Sequence, residues 1–328
     1  MLESKREFLK DKGGKSVKKK KKKTALTTQD ITRSLKRNYA MYLLLILPVI
    51  YFIVFKYIPM FGNVIAFRRY QVGKSYFGVE WVGFKYFEMF INDPKFWGVF
   101  KTTIIISLAN LMVSFPLPII FSLMLNEIKA ERFKKIVQSI TILPKFLSVV
   151  VVAMITTTLL SPSTGAVNGV LKEFGLETIH FLQEPGWFKG IYITTEVWQF
   201  LGWNSIIYMA ALSGADQEQY EAALVDGANR WQQTVHITMP VLRPTIAINL
   251  IISVGCILNT GFEKILLLYQ PSTYETADVI QTYVYRVGLL GNSFSYSTAI
   301  SLFQGIISLS LLWIVNKITN KYWECGLW

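Results

Sequence analysis

Histidine and cysteine are almost missing from this chain, with two of each in 328 residues. That starves metal clusters and His-based triads of ligands and bases, so neither is expected. The sequence also has no HExxH, no paired CxxC, no GxSxG and no glycine-rich loop ending in Gly-Lys-Ser/Thr. The common metalloprotease, redox, hydrolase and nucleotide-binding motifs are therefore absent, and the chain is not expected to be an enzyme. Cys256 sits in an apolar stretch and Cys325 near the end, which makes a disulfide framework improbable. Charge is scarce as well: 17% of residues are charged against 52% hydrophobic, with a mean hydropathy of +0.36. A globule of this size in water would lack the polar surface to cover itself, whereas a bilayer is a solvent for exposed Leu, Ile, Val and Phe. These absences point to an all-α, polytopic membrane protein.

The charge that is present is unevenly placed. The net charge is +13, and 14 of the 34 Lys and Arg fall in the first 38 residues, including the run Lys18 to Lys23. This is a tail rather than a nucleic-acid-binding face. No apolar stretch precedes Tyr39, so a cleavable signal peptide is not expected. Residues 1–38 are expected to form a disordered basic tail that attracts anionic lipid. Apolar stretches able to cross the hydrocarbon follow at about 39–59, 99–125, 136–160, 191–212, 245–268 and 298–318. An even number of spans puts both termini on one side, and the basic tail assigns that side to the cytoplasm of a plasma-membrane protein. The outer segments, about 60–98, 161–190 and 269–297, are long and rich in Gly, Trp and Tyr, as working loops are.

The most informative segment is 213–244. It reads Glu221-Ala222-Ala223-Leu224-Val225-Asp226-Gly227-Ala228 and, nine residues beyond Gly227, Ile237-Thr238-Met239-Pro240. The residues alone predict a short helix over 216–226, an elbow at Gly227, and a second short helix over 228–236 that Pro240 stops. Small Ala222 and Ala223 would let a partner approach the backbone, and Glu221 offers it a carboxylate. The pattern resembles the EAA loop of ABC importer permeases, matching at every position of that motif except Met239, where Leu is usual. Further similarity, in Tyr57-Ile58-Pro59, in Trp81-Val82-Gly83-Phe84-Lys85-Tyr86-Phe87 and in the terminal Gly326-Leu327-Trp328, is to the LplB-type branch, the complex-carbohydrate permeases of Gram-positive bacteria. The resemblance implies a MetI-like type I importer fold over 39–328. It also implies ATPase coupling through Glu221, Ala222, Ala223, Asp226, Gly227, Ile237 and Pro240, with ATP and Mg bound by two partner ATPase subunits and no cofactor in this chain. A second, homologous permease completing a heterodimer, an extracellular substrate-binding lipoprotein and an oligosaccharide cargo are implied in the same way.

Polar side chains within apolar spans are costly and tend to face a pathway or each other. In the fifth stretch Asn249, Ser253, Cys256, Thr260 and Glu263 recur at helical spacing and form one stripe. In the fourth, Glu196, Gln199 and Trp203 share a face with Asn204 beside it. Carboxylates and amides next to an aromatic face suit a sugar, which makes Glu196, Gln199, Trp203, Asn204, Asn259 and Glu263 the candidate substrate pathway. Packing between helices is the rival reading, to which Ser253, Cys256, Asn110 and Ser114 are assigned. Lys264 could neutralise Glu263, and Lys145 lies within snorkelling reach of a membrane face. Two other functions stay open: the same importer class with an amino-acid, peptide or anion cargo, and a non-transporting membrane scaffold or sensor.

Overall fold

A computed structural model of the chain describes residues 37–328, so the expectation of a disordered basic tail lies, for residues 1–36, outside the described residues. The chain divides into two bodies, one ending at Phe61 and one spanning Gly62–Trp328. In the first, helix α1 (Tyr39–Phe52) carries Pro48 inside it and continues through a wide π turn, Ile53–Tyr57, into Ile58–Met60. Its unbroken apolar character leaves no polar face, as expected of a helix solvated by lipid.

The second body is almost entirely helical. A small antiparallel hairpin, β1 (Arg68–Arg69) with β2 (Glu80–Trp81), pairs Arg68 with Trp81 and Arg69 with Glu80. Ser295 stitches it to the last helix by donating to Arg68 O at 2.8 Å and accepting from Tyr70 N at 2.9 Å. Helix α2 (Lys85–Ile91) follows, and then α3 (Pro94–Ser114) and α4 (Pro116–Glu127) run on as a single 34-residue apolar rod. Asp93 starts that rod by accepting from Lys95 N at 2.9 Å, with Pro94 at the first helical position where its missing N–H is not needed.

The third expected span is not one helix. Helix α5 (Glu131–Ile142) and a short turn to Phe146 meet α6 (Val149–Leu159) at 100°. Pro144 interrupts the ladder, and Ser148, extended and accepting from Val151 N, begins a new helix in a new direction. After α7 (Ala166–Glu173) comes α8 (Pro185–Ser213), a 29-residue helix that packs on α3, α4 and α5. Beyond it lie α9 (Gln217–Val225) and α10 (Arg230–Gln233), the latter passing through a π turn at Thr234–Thr238 into α11 (Met239–Gly255).

Pro240 therefore does not stop the second helix of the loop. The residues from Arg230 to Gly255 form one helical run. The wide turn before Pro240 already departs from the i→i−4 pattern, so the proline's missing donor costs the run little. The fifth expected span, by contrast, is broken: α11 ends at Gly255, and α12 (Phe262–Leu268) starts only after an irregular segment. Two short helices, α13 (Tyr274–Ala277) and α14 (Ile280–Val284), precede the final α15 (Phe294–Trp323). That helix ends with Glu324 in the left-handed region at φ 53°, and Asn316 accepts from Leu327 N at 2.8 Å. Among the described residues, four helical runs are long and apolar enough to cross a membrane, five if the bent α5–α6 pair counts as one.

Candidate functional site

Where α3, α8, α11 and α12 come together they line a half-open cavity of about 790 Å³. All of the pathway candidates line it. Glu196, Gln199, Trp203 and Asn204 come from α8, Asn259 from the break after α11, and Glu263 from α12. The stripe expected on a continuous fifth span also faces the cavity, but the chain reaches it by breaking. Asn249 and Ser253 are presented by α11, Cys256 and Thr260 by the irregular segment, and Glu263 by the new helix. Ser253, Cys256, Asn110 and Ser114, assigned from sequence to packing, lie on the cavity wall as well, with Ser114 donating to Asn110 Oδ1 at 2.8 Å.

The electrostatics differ from expectation. Lys264 does not neutralise Glu263; it is 2% exposed and meets Glu196 across the cavity wall at 2.5 Å. The approach is an ion contact rather than an aligned hydrogen bond. Glu263, one residue earlier on the helix, is exposed. Lys145 stands at the α5–α6 bend with its ammonium 4.1 Å from the centroid of the Phe200 ring, and the Lys264 ammonium is 5.5 Å from the same centroid. Gln199 is buried, donating from Nε2 to Leu147 O at 3.2 Å and leaving Oε1 without a donor. Trp203 is 46% exposed, with Phe146 edge-on to it, so much of the indole is free to face a ligand.

Sequence reasoning missed two contributors. Gln281, on α14, enters the cavity wall and donates to Asn259 Oδ1 at 3.0 Å, while Gln304 of α15 donates to the same oxygen at 3.1 Å. A five-residue helix in a loop has no periodicity that would have singled out Gln281. It is held in place by Thr103, which accepts from Ile280 N at 2.9 Å, and by the Asp278–Arg286 ion pair beside it. Thr282 also donates to Asp278, at 2.7 Å. Burial, with the Tyr296 hydroxyl 3.4 Å away, raises Tyr283 above the ordinary phenol range, so it stays a neutral donor to Asp93 Oδ2 at 3.2 Å.

At the opposite end of α8, the 213–244 segment forms a projecting elbow. Asp216 caps α9 by accepting from Glu218 N at 3.0 Å. The helix closes with Ala228 N donating to Ala223 O at 2.8 Å and Gly227 N to Leu224 O at 3.1 Å. That paired closure requires a left-handed residue, and Gly227 has φ 78°. Asn229 and Gln232 then cap each other's backbone at the start of α10. Glu221, Ala222 and Asp226 are exposed, Ala223 and Ile237 half-buried, and Pro240 sits in the first turn of α11. Val225 is 89% exposed, Trp231 75% and Leu224 59%, an apolar edge on the knob. Among the described residues no group of three or more His, Cys, Asp or Glu could hold a metal ion.

Comparison with known proteins gives these two features a common setting. Residues 119–323 match the family of binding-protein-dependent transport system inner membrane components, and the chain belongs to that family. It is 38% identical to Protein LplB of Bacillus subtilis, over 90% of this chain and 92% of that one. It is 40% identical to the polygalacturonan/rhamnogalacturonan transport system permease protein YteP of the same organism, over 88% and 90%. A solved bacterial ABC transporter involved in the import of the acidic polysaccharide alginate superposes with a TM-score of 0.83 at 41% identity, covering 89% of this chain and 99% of that one. The same type of transporter has been solved in complex with an alginate pentasaccharide-bound periplasmic protein. The all-α, MetI-like permease fold expected from the sequence is thus the fold of this chain.

Proposed function

We propose that the chain is a membrane-spanning subunit of an ATP-driven, binding-protein-dependent oligosaccharide importer, working by alternating access. The observation that carries this reading is the cavity itself: amides, carboxylates and aromatic rings converge in a space of about 790 Å³ bounded by apolar helices. Buried hydrogen-bonding groups there need partners, sugar hydroxyls supply them, and the half-exposed Trp203 ring offers a flat face to a pyranose. Broken helices at such a depth are common where a substrate site replaces lipid. The relatives' names favour a complex carbohydrate over an amino acid or peptide.

In this proposal the elbow at Gly227 docks into a separate ATPase and transmits its closure, with Glu221, Ala222 and Asp226 on the docking face and ATP and Mg held by two such subunits. A second related permease completes the pore, an external lipoprotein delivers the sugar, and both termini lie in the cytoplasm beside anionic lipid. The test is reconstitution of the assembled importer with oligosaccharide uptake and ATPase activity as readouts. Gly227→Val puts a β-branched residue at φ 78°, a strain of roughly 1–3 kcal/mol that misaims α10. It should lower ATPase stimulation at least tenfold while the lipoprotein still binds sugar. Trp203→Leu should lower uptake with assembly intact. Normal uptake by both variants would overturn the proposal.

A further inference from the structure

Part of the cavity wall also lines a second space. Asn259, Phe262 and Gln281 border a groove of about 480 Å³ as well, which runs between the irregular segment after α11, the wide turn Tyr285–Leu290 that follows α14, and α15. Its volume falls in the range of small-ligand sites, about 300–1,000 Å³. Gln281 and Gln304 both donate to Asn259 Oδ1, so this trio of amides stands where the two spaces meet. Gln304 uses its nitrogen on Asn259 and on Leu258 O, and its carbonyl oxygen, like that of Gln281, has no donor among the described residues. Phe262 and Tyr285 stand half-buried with ring centroids 5.5 Å apart, Tyr285 and Ser308 add hydroxyls, and no charged side chain lines the groove. Amides, hydroxyls and aromatic faces without charge suit a ligand recognised by its hydroxyl groups and ring faces.

The groove is not shaped for lipid. Gly305 and Ser308 lie near the middle of α15, a run long and apolar enough to cross a membrane, and a wall of amides at that depth is costly against hydrocarbon. Gly305 has no atom within 4 Å of the place a Cβ would take. Glycine weakens a helix interior relative to alanine, so packing within this chain gives no reason for it there, whereas an occupant of the groove does. We propose that the groove is a second sugar subsite, continuous with the cavity through the Asn259, Gln281 and Gln304 amides, so that the cargo is held as an extended chain with one stretch in each space. The inference rests on the oligosaccharide-importer reading above and adds to it a preference for length.

The test uses the purified importer, with its partner permease and ATPases, in lipid nanodiscs without the lipoprotein, whose own length preference would mask the subsite. Equilibrium binding is measured for digalacturonate and hexagalacturonate, and for the same two lengths after reduction of their carboxylates. In whichever form binds, the wild type should hold the six-unit chain at least tenfold more tightly than the two-unit one. Gly305→Leu fills the groove and should remove most of that preference while leaving two-unit binding within twofold of wild type. In a background without Cys256 and Cys325, the thiol of Gly305→Cys should label several-fold more slowly with the six-unit chain bound and at an unchanged rate with the two-unit chain. Equal binding of both lengths by the wild type, or a full length preference in Gly305→Leu, overturns the subsite alone. If Gly305→Leu fails to assemble, the labelling decides: protection by the six-unit chain supports the subsite, and a thiol that the chain does not protect, or that is unreactive without sugar because a partner helix covers it, overturns it. Absence of binding by every probe overturns the oligosaccharide reading and the subsite with it.

Discussion

Gly202 is where α8 approaches the backbone of α5, and it allows the fold to be tested by a single methyl group. It is buried on α8, and a Cβ built there would lie 2.4 Å from the carbonyl carbon and oxygen of Thr141 and 2.7 Å from Ile142 N on α5. Carbon atoms in contact rest at about 3.5–4.0 Å, so the α5 and α8 backbones must part by roughly 1 Å to admit alanine. Neither partner is a flexible side-chain tip; both are helix backbone, and overpacking of that kind costs about 1–3 kcal/mol. The separation also reaches the cavity. Gln199, one turn earlier on α8, donates to Leu147 O at 3.2 Å just beyond the α5 end, and a shift of ~1 Å breaks that bond, a further loss of about 1 kcal/mol.

The same helix supplies the control. Gly190 has nothing within 4 Å of its Cβ position, so Gly190→Ala should stabilise by about 0.5–1 kcal/mol through helix propensity alone. Thermal unfolding of the assembled complex, followed by size-exclusion recovery after heating, should therefore rank Gly190→Ala at or above wild type and Gly202→Ala well below it. Gly202→Leu should fail to assemble. If Gly202→Ala matched the wild type, or if both alanines fell together, the close approach of α5 and α8 would be wrong.

Asn259→Leu removes the oxygen shared by Gln281 and Gln304. Uptake should fall at least tenfold while stability falls by only about 1 kcal/mol, because Gln304 keeps its bond to Leu258 O at 2.9 Å; wild-type uptake would remove Asn259 from the pathway. In a background without Cys256 and Cys325, a cysteine at exposed Lys85 should react with a membrane-impermeant thiol reagent in intact cells and one at exposed Gln219 should not. Labelling at Gln219 from outside contradicts the docking of the elbow to a cytoplasmic ATPase.

Much of the elbow is legible in the sequence because its determinants are local. Asp216 two residues before Glu218, a glycine at the only position that needs φ 78°, and Asn229 with Gln232 spaced to cap one another all act within a few residues of themselves. Pro240 misled because its effect depends on the turn in front of it: the π turn at Thr234–Thr238 lets the helix pass. The cavity is half legible. Polar residues at helical spacing located its wall on α8 and α11, since the cost of burying them in an apolar span does not depend on their partners. The partners themselves were not legible. Whether Lys264 meets Glu263 next to it or Glu196 on another helix is decided by the direction α12 takes after the break.

The two breaks follow a common rule that helices read singly cannot reveal. Backbone carbonyls freed inside a membrane protein must find donors within the protein, because lipid offers none. At the α5–α6 bend the freed Leu147 O receives Gln199 from α8, and after α11 the freed Leu258 O receives Gln304 from α15. The second break is also closed from its other side, with Gly261 N donating to the Tyr192 hydroxyl at 3.1 Å. Each glutamine sits within a long helix and is itself buried. A glutamine in that setting is thus as much a sign of a broken neighbour as of a substrate. In Gln199 the nitrogen satisfies the bend, which fixes the side chain in one orientation, and that orientation leaves the oxygen buried without a donor in a residue that lines the cavity. Breaking the two spans thus costs the protein little in unsatisfied backbone, and it is the breaks that bring Lys264, Asn259 and Gln199 into one cavity.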